Sequence, residues 1–310
     1  MKYLIKAPEE RLRASVQLPA SKSISNRALM LNALSYSPYD IQNLSDCDDT
    51  EVMVKALNSN SCDFDIKAAG TAMRFLTAFL SKIIGEWTIT GTERMKNRPI
   101  KLLVDALNSL GARIEYIEKE GYPPLRIFGS ALQGGEISLA GGVSSQYISA
   151  LLMVAPLMEN GLTLHLEGNI ISRPYINLTL QLMEQFGVKA TWNGQTIKIL
   201  PQEYKPIRFT VESDWSAASY WYAIMALSKN AEIELLEKIY QYPQANISIL
   251  SVKLGVTKSA VTQMSIKLLD KGLIEKFQDS KNKKEKYFRL TNEGKKARET
   301  YMAHHDQAPS

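Results

Sequence analysis

The sequence predicts an α/β protein: a body built from one repeated strand–turn–helix unit, followed by a small module of helices and a hairpin. Three observations carry that prediction. A strand, a turn of small polar residues and an apolar helix recur three times before residue 180, with a fourth helix start at Asp214. Repetition of one supersecondary unit implies a pseudo-symmetric assembly, and helices that are apolar nearly all round, as these are, belong in an interior. From Leu236 onward both pattern and charge change: that stretch holds 14 Lys and Arg against 8 Asp and Glu, the remainder 23 against 24. A near-neutral body with a short basic tail points to two modules with different partners.

Composition sets the outer bounds. A chain of 310 residues has room for about two domains. Its 45% hydrophobic and 22% charged residues are those of a soluble globular protein. No run of about 18 apolar residues occurs, so neither a transmembrane helix nor a membrane partner is expected. The opening MKYLIKAPEERLR lacks the apolar core of a secretory signal. Cys47 and Cys62 have no metal-type spacing and read as free thiols in a reducing, cytoplasmic setting. His165 stands alone and His304 and His305 lie in a polar tail, so no metal and no cofactor are expected.

In chain order, residues 3–5 and 12–18 read as strands leading into LPASKSISNRALM, with a helix over 25–34. The turn carries Ser21, Lys22, Ser23 and Ser25; the first helical turn adds Asn26 and Arg27. A helix start presents unpaired N–H groups and partial positive charge, so cations and hydroxyls there make an anion grip. Read alone, the motif fits equally a serine-rich cap followed by an exposed Lys and Arg. A capped turn and helix follow over 46–57, then AAGTAMRFLTAFL repeats the device with Gly70, Thr71 and Arg74. A strand over 87–90 leads to a basic loop, ERMKNRPI, and to a helix over 100–110 with Pro99 near its first turn, ending at Gly111. Strands are expected over 112–118 and 125–128. The third copy, GGVSSQYISALLMVAPL, turns on Gly141 and Gly142 and opens a helix with Ser144, Ser145 and Gln146. A strand over 162–166 leads to SRPYINLTLQLMEQFG, where Ser172 precedes Pro174 and Tyr175; a hairpin around Asn193-Gly194 follows. The fourth, weaker copy is ESDWSAASYWYAIMAL, with Asp214 and Ser216 at its start. Helix starts that converge with Lys22, Arg27, Arg74 and Arg98 would suit a small polyanion such as a phosphorylated carboxylate.

These stretches resemble the EPSP synthase family, the enolpyruvyl transferases of the shikimate pathway. LPASKSISNRAL, AGTAMRFLTA, ERMKNRPIKLLVDAL, VSSQYISALLM, SRPYINLTL and ESDWSAASY match its signatures in order over residues 1–235. The resemblance implies a pseudo-threefold lobe of βαβαββ units spanning 16–213, with 1–15 and 214–235 as pieces of a second lobe. It implies that Lys22, Ser23, Arg27, Ser144, Ser145, Gln146, Ser172 and Tyr175 hold shikimate 3-phosphate. Lys22, Gly70 and Arg98 would face phosphoenolpyruvate, with Lys22 in the catalytic role; Arg74 would serve as readily in structure as in binding. The family often has Asn two residues before its glycine, where this chain has Ala68. Only 96 residues follow Asp214, and most do not resemble the second lobe that supplies the acid, the base and further cations. Proton transfer and two-sided charge stabilisation are then expected to be incomplete, with binding kept and full turnover not.

Residues 236–310 read differently. Helices over 233–240 and 247–254, a Gly255-Val256 turn, and a helix over 258–270 capped by Thr257 and closed by Gly272 form a helix-turn-helix pattern. Strands over 274–277 and 287–290 flank the basic DSKNKKEK, and Thr291 starts a last helix. The run GVTKSAVTQMSIKLLDKGLIEK, the hairpin and LTNEGKKA resemble the winged-helix core of MarR-type regulators. Ser259, Thr262 and Gln263 would face base edges of double-stranded DNA, with Lys258 and Lys267 on phosphates and Lys281, Lys283 and Lys284 on the wing. The competing reading is a solvated charged hairpin. The dimerisation helices of that family are missing or short, and the wing tip offers Asp279 with lysines, which lack arginine's bidentate fork. Three functions follow: residual or complemented enolpyruvyl transfer, a ligand-responsive DNA-binding protein, or an inactive chimeric fusion.

Overall fold

The computed structural model describes residues 16–227, 231–243, 245–254, 256–279 and 282–305; the expected strand at 3–5 lies outside them. Contacts divide the chain into one unit spanning Pro19–Ser213 and a second that runs from Asp214 onward and takes in 16–18. The fold is mixed α/β.

The first unit contains two copies of one βαβαββ repeat, each with one additional short helical turn. In the first, β1 (Asp63–Asp65) is followed by α3 (Gly70–Lys82), β2 (Gly85–Thr90), the short α4 (Glu93–Lys96), α5 (Lys101–Ser109), β3 (Arg113–Tyr116) and β4 (Leu125–Gly129). In the second come β5 (Gly135–Ala140), α6 (Ser145–Val154), a 3-10 turn, β6 (Leu162–Glu167), α7 (Arg173–Gln185), β7 (Ala190–Asn193) and β8 (Thr196–Ile199). The sheets have the same order, β1-β2-β4-β3 and β5-β6-β8-β7. In each, the first two strands are parallel and the other pairings antiparallel. Two helices, α1 (Lys22–Leu34) and α2 (Asp48–Leu57), form the helical part of a third set. Around them the described pairing is reduced to bridges, Ala20 with Ser213 and Gln42 with Thr210.

The sequence explains which helices go inside. In α3, eleven of thirteen positions are buried, Arg74 among them; in α6, Ile148 through Val154 are all buried. Fully burying a Leu, Phe or Met side chain is worth roughly 1.5–3 kcal/mol, so two such helices hold the core that surrounds Phe75, Leu76, Leu151 and Met153. Tyr204 closes this core with its hydroxyl on the Met153 carbonyl, 2.7 Å away.

Several boundaries differ from expectation. The first helix starts at Lys22, not Ser25, because Ser21 takes the cap and accepts from the Ile24 N–H; Arg27 therefore sits in the second turn. Part of the expected basic loop is α4, and the next helix begins at Lys101 with Ile100 as its cap. The tight turn after β7 falls one residue late: Asn193 pairs with Thr196, and Gly194 takes the left-handed backbone at φ +59°. β1 and β5 carry little sequence signal: one has three residues and the other is half-exposed along its length.

The second unit holds α8 (Trp215–Leu227), α9 (Ala231–Gln241), α10 (Ile247–Leu254), α11 (Lys258–Asp270), the antiparallel hairpin of β9 (Ile274–Asp279) and β10 (Asn282–Leu290), and α12 (Asn292–His305). Its core gathers Leu236, Ile239, Leu250, Val261, Met264, Leu268, Ile274 and Phe288. α8 packs on both α9 and α11.

Candidate functional site

The polar residues at the head of α1 divide into two groups. Ser25, Asn26 and Arg27 turn inward and are buried. Ser25 Oγ accepts from the Ser45 N–H at 3.0 Å, and Asn26 Oδ1 accepts from the Thr50 hydroxyl at 2.9 Å. They tie α1 to the segment that starts α2. Lys22 and Ser23 face outward instead. Lys22 Nζ is 2.8 Å from Asp49 Oδ2, in the first turn of α2. That hydrogen bond holds the Lys22 ammonium above its usual pKa, with the charge of Asp49 adding to it and burial opposing it. The second carboxylate oxygen of Asp49 is buried with no hydrogen-bond partner among the described residues.

Around this pair the other helix starts are gathered. Arg98 feels the charge of Asp49, and its guanidinium lies against Gly70, where a Cβ would collide with Arg98 Nη1. Only glycine lets the arginine plane rest on the first residue of α3. Desolvation first, then Arg74 and Arg94, lower the Arg98 pKa, the mark of several cations crowded together. Next to Gly70, the Thr71 hydroxyl accepts from Gln146 Nε2 at 3.2 Å, which joins the start of α3 to that of α6. Ser144 caps α6 with its Oγ accepting from the Gln146 N–H; Ser145 follows, buried. Ser172 is the cap residue of α7 but makes no side-chain cap bond, and Tyr175 is 43% exposed. Tyr175 lies near enough to Lys22 to perturb it, and its ring stands 6.0 Å from the Arg27 guanidinium.

The structure therefore brings Lys22, Gly70, Arg98, Gln146 and Tyr175 together, with Ser23, Ser144, Ser145 and Ser172 at the same helix starts. Arg27 sits beneath them at 3% exposure. Burial brings its pKa down to about 10. Arg74 is internal: Nη1 donates to the Gly70 carbonyl at 3.0 Å and Nη2 to the Pro99 carbonyl at 3.3 Å. It props the turn that presents Gly70 and Arg98. Sequence reasoning missed Asp49, and also Ser149 and Thr179. The latter two lie four residues beyond Ser145 and Tyr175, one helical turn inward on the same face.

The site is cationic, with hydroxyls, an amide and a run of helix N-termini, which is chemistry for a multiply charged oxyanion. Among the described residues, no group of three or more His, Cys, Asp or Glu could hold a metal. No helix among them is long and apolar enough to cross a membrane. His165 is engaged on the β5–β6–β8 sheet, between Thr196 Oγ1 at 2.9 Å and Glu136 Oε1 at 2.6 Å.

In the second unit, Thr257 caps α11 by accepting from the Ala260 N–H at 3.1 Å. Lys258, Ser259 and Gln263 are exposed on α11. The Thr262 hydroxyl donates to the Lys258 carbonyl, 2.8 Å away, and Lys267 is half-buried. Lys281 lies outside the described residues, as do the side chains of Lys283 and Lys284.

The model of the family "EPSP synthase (3-phosphoshikimate 1-carboxyvinyltransferase)" matches residues 6–61 and 56–271. That match runs through α11. A 3-phosphoshikimate 1-carboxyvinyltransferase of Bacteroides fragilis is 57% identical over 276 residues, which cover 88% of this chain and 67% of that protein. The corresponding protein of Vibrio atlanticus is 41% identical over 264 residues, covering 76% of this chain and 62% of its own length. An EPSP synthase structure from Acinetobacter baumannii superposes with a TM-score of 0.62 at 20% identity, over 69% of this chain and 53% of that one. The chain thus spans between about half and two thirds of the length of these relatives. With the repeat, the helix starts and these matches together, the chain belongs to the EPSP synthase (3-phosphoshikimate 1-carboxyvinyltransferase) family.

Proposed function

We propose that the Pro19–Ser213 unit binds shikimate 3-phosphate and phosphoenolpyruvate as a substrate-binding half of the family's enolpyruvyl-transfer site, in a cytoplasmic protein. The observation that carries this reading is the gathering of Lys22, Arg98, Gly70, Gln146 and Tyr175 at adjoining helix starts. The sugar-phosphate side of the site is Ser23, Ser144, Ser145, Gln146, Ser172 and Tyr175: four hydroxyls at helix starts, an amide and a phenol, apt for a phosphate and ring hydroxyls. Arg27 adds buried positive charge below. Arg98 rests against Gly70, and Asp49 links Lys22 to it; there the backbone N–H groups at the start of α3 and two cations suit a second, smaller phosphorylated carboxylate. In the reaction, Lys22 takes the catalytic role, and its pair with Asp49 favours its charged form. Isothermal titration of the full chain tests this. Shikimate 3-phosphate is expected to bind with one-to-one stoichiometry and shikimate far more weakly; equal or absent heats for the two refute the reading. Phosphate release from the two substrates together reads out transfer itself.

A second reading concerns α9 to α12. Thr257-capped α11 presents exposed Lys258, Ser259 and Gln263 beside an antiparallel hairpin, an arrangement suited to a winged helix that docks α11 in a major groove. Thr262, Lys267 and the hairpin's Lys281, Lys283 and Lys284 would complete it. A gel shift on mixed duplex fragments at low salt is expected to give a complex that weakens steeply as salt rises; no complex ends this reading.

A further inference from the structure

Arg27 lies where α1, α6 and α7 meet, and its charge is almost wholly removed from water. A buried guanidinium is tolerated only where its N–H groups find acceptors. Two of those acceptors are hydroxyls from the other two helices. Thr179 Oγ1 on α7 takes the Nε–H at 2.7 Å, and Ser149 Oγ on α6 takes an Nη2–H at 2.9 Å. The Ser23 carbonyl, one turn back on α1, takes an Nη1–H at 2.9 Å. Thr179 and Ser149 are both fully buried and stand 2.8 Å apart.

The proton directions follow from counting donors. Thr179 donates its single hydroxyl proton to the Tyr175 carbonyl, 2.9 Å away. Its oxygen is then acceptor-only toward both Arg27 and Ser149, so Ser149 donates to Thr179 and accepts from Arg27. Each hydroxyl proton has one destination, and the chain runs from Ser149 through Thr179 to the backbone of Tyr175. Phe75, with its ring 5.4 Å from the guanidinium carbon, fills the remaining side. The guanidinium plane is fixed by two hydroxyls that touch nothing outside the protein.

We infer that Thr179 and Ser149 are positioning residues of the anion site, acting through Arg27: they fix its guanidinium below Ser23 and Tyr175. This rests on the reading of that site as the shikimate 3-phosphate site. A cation in a poorly screened interior acts strongly on a ligand above it, and small displacements change that action steeply.

The test uses the full chain with Thr179→Val, which keeps the shape and removes the hydroxyl, Thr179→Ser, which keeps the hydroxyl, and Ser149→Ala. In free protein, nitrogen-15 NMR is expected to show a slowly exchanging Arg27 Nε–H signal that Thr179→Ser retains and Thr179→Val loses. Thr179→Val is expected to weaken shikimate 3-phosphate binding about tenfold, Ser149→Ala about threefold, and Thr179→Ser less than about twofold. In an Arg27→Gln background, adding Thr179→Val should change affinity by less than about twofold, because the residue acts through the missing arginine. An unchanged Nε–H signal in Thr179→Val, wild-type affinity of that variant, or the same tenfold loss without Arg27 each overturns the inference. If Thr179→Val does not fold, Ser149→Ala carries the test through the hydrogen bond it removes: the Arg27 Nη2 protons are expected to lose their slow exchange and affinity to fall about threefold, and wild-type values for either overturn the inference. If the wild-type chain does not bind shikimate 3-phosphate, the functional reading falls and the Nε–H signal alone decides the inference.

Discussion

Lys22 shows how two residues with the same charge come to different ends on one helix. Five positions separate it from Arg27, but Lys22 is the first helical residue and 46% of its side chain is exposed, whereas Arg27 is sealed inside. The Lys22–Asp49 pair is partly solvated, so it contributes less than about 1 kcal/mol to stability. Lys22→Met should therefore leave the melting temperature nearly unchanged while weakening shikimate 3-phosphate binding at least about tenfold, as loss of a charge-assisted contact does. A drop in affinity that tracks a drop in stability would place Lys22 in the fold instead. Gly70→Ala separates the two ligands. The atoms nearest its new methyl are those of the Arg98 guanidinium, a flexible group that moves at little cost to the fold. Phosphoenolpyruvate affinity is expected to fall about tenfold or more with shikimate 3-phosphate affinity held within about threefold; equal losses for both would contradict the assignment of Arg98.

At the scale of elements, pattern carried most of the fold. The helix starts at Gly70, Ser144, Ser172 and Thr257 follow from small polar residues before apolar runs, and each stands at or next to a cap in the structure. The sequence did not say which polar residues of α1 turn inward. Ser25 and Asn26 look like part of the grip, yet their partners, Ser45 and Thr50, are about twenty positions away and carry no periodic signal. Arg27's two hydroxyl partners are more than a hundred positions distant, so the site's depth was less legible than its rim. In the second unit, α9 and α12 are fastened by Glu237, which accepts from Arg298 Nε and Nη2, with Tyr240 stacked 3.7 Å from the same guanidinium. The Arg298 hydrogen bond holds the Glu237 carboxyl below its ordinary pKa. A carboxyl depressed on folding contributes stability above its unfolded pKa and loses it as pH falls through the folded one. Glu237→Gln should thus lower the melting temperature of this unit at pH 7, with the difference from wild type shrinking as the pH falls below the ordinary glutamate range. A pH-independent difference would mean that packing, not charge, is what the substitution removes.

For the whole molecule, the repeat is the organising fact. Two sheets of identical order and a third helical pair place helix starts side by side. None of the starts alone would distinguish a serine cap from a ligand grip; their adjacency does. Three-dimensional proximity also supplied Asp49, which no motif singled out. Titration of the nitrogen-15-labelled full chain with shikimate 3-phosphate, followed through its backbone amide signals, tests the central claim most directly. Saturable shifts are expected at Ser23, Ser145, Gln146 and Tyr175, with α9 to α12 unmoved. Shifts that are absent at millimolar ligand, or that fall away from these helix starts, would contradict it.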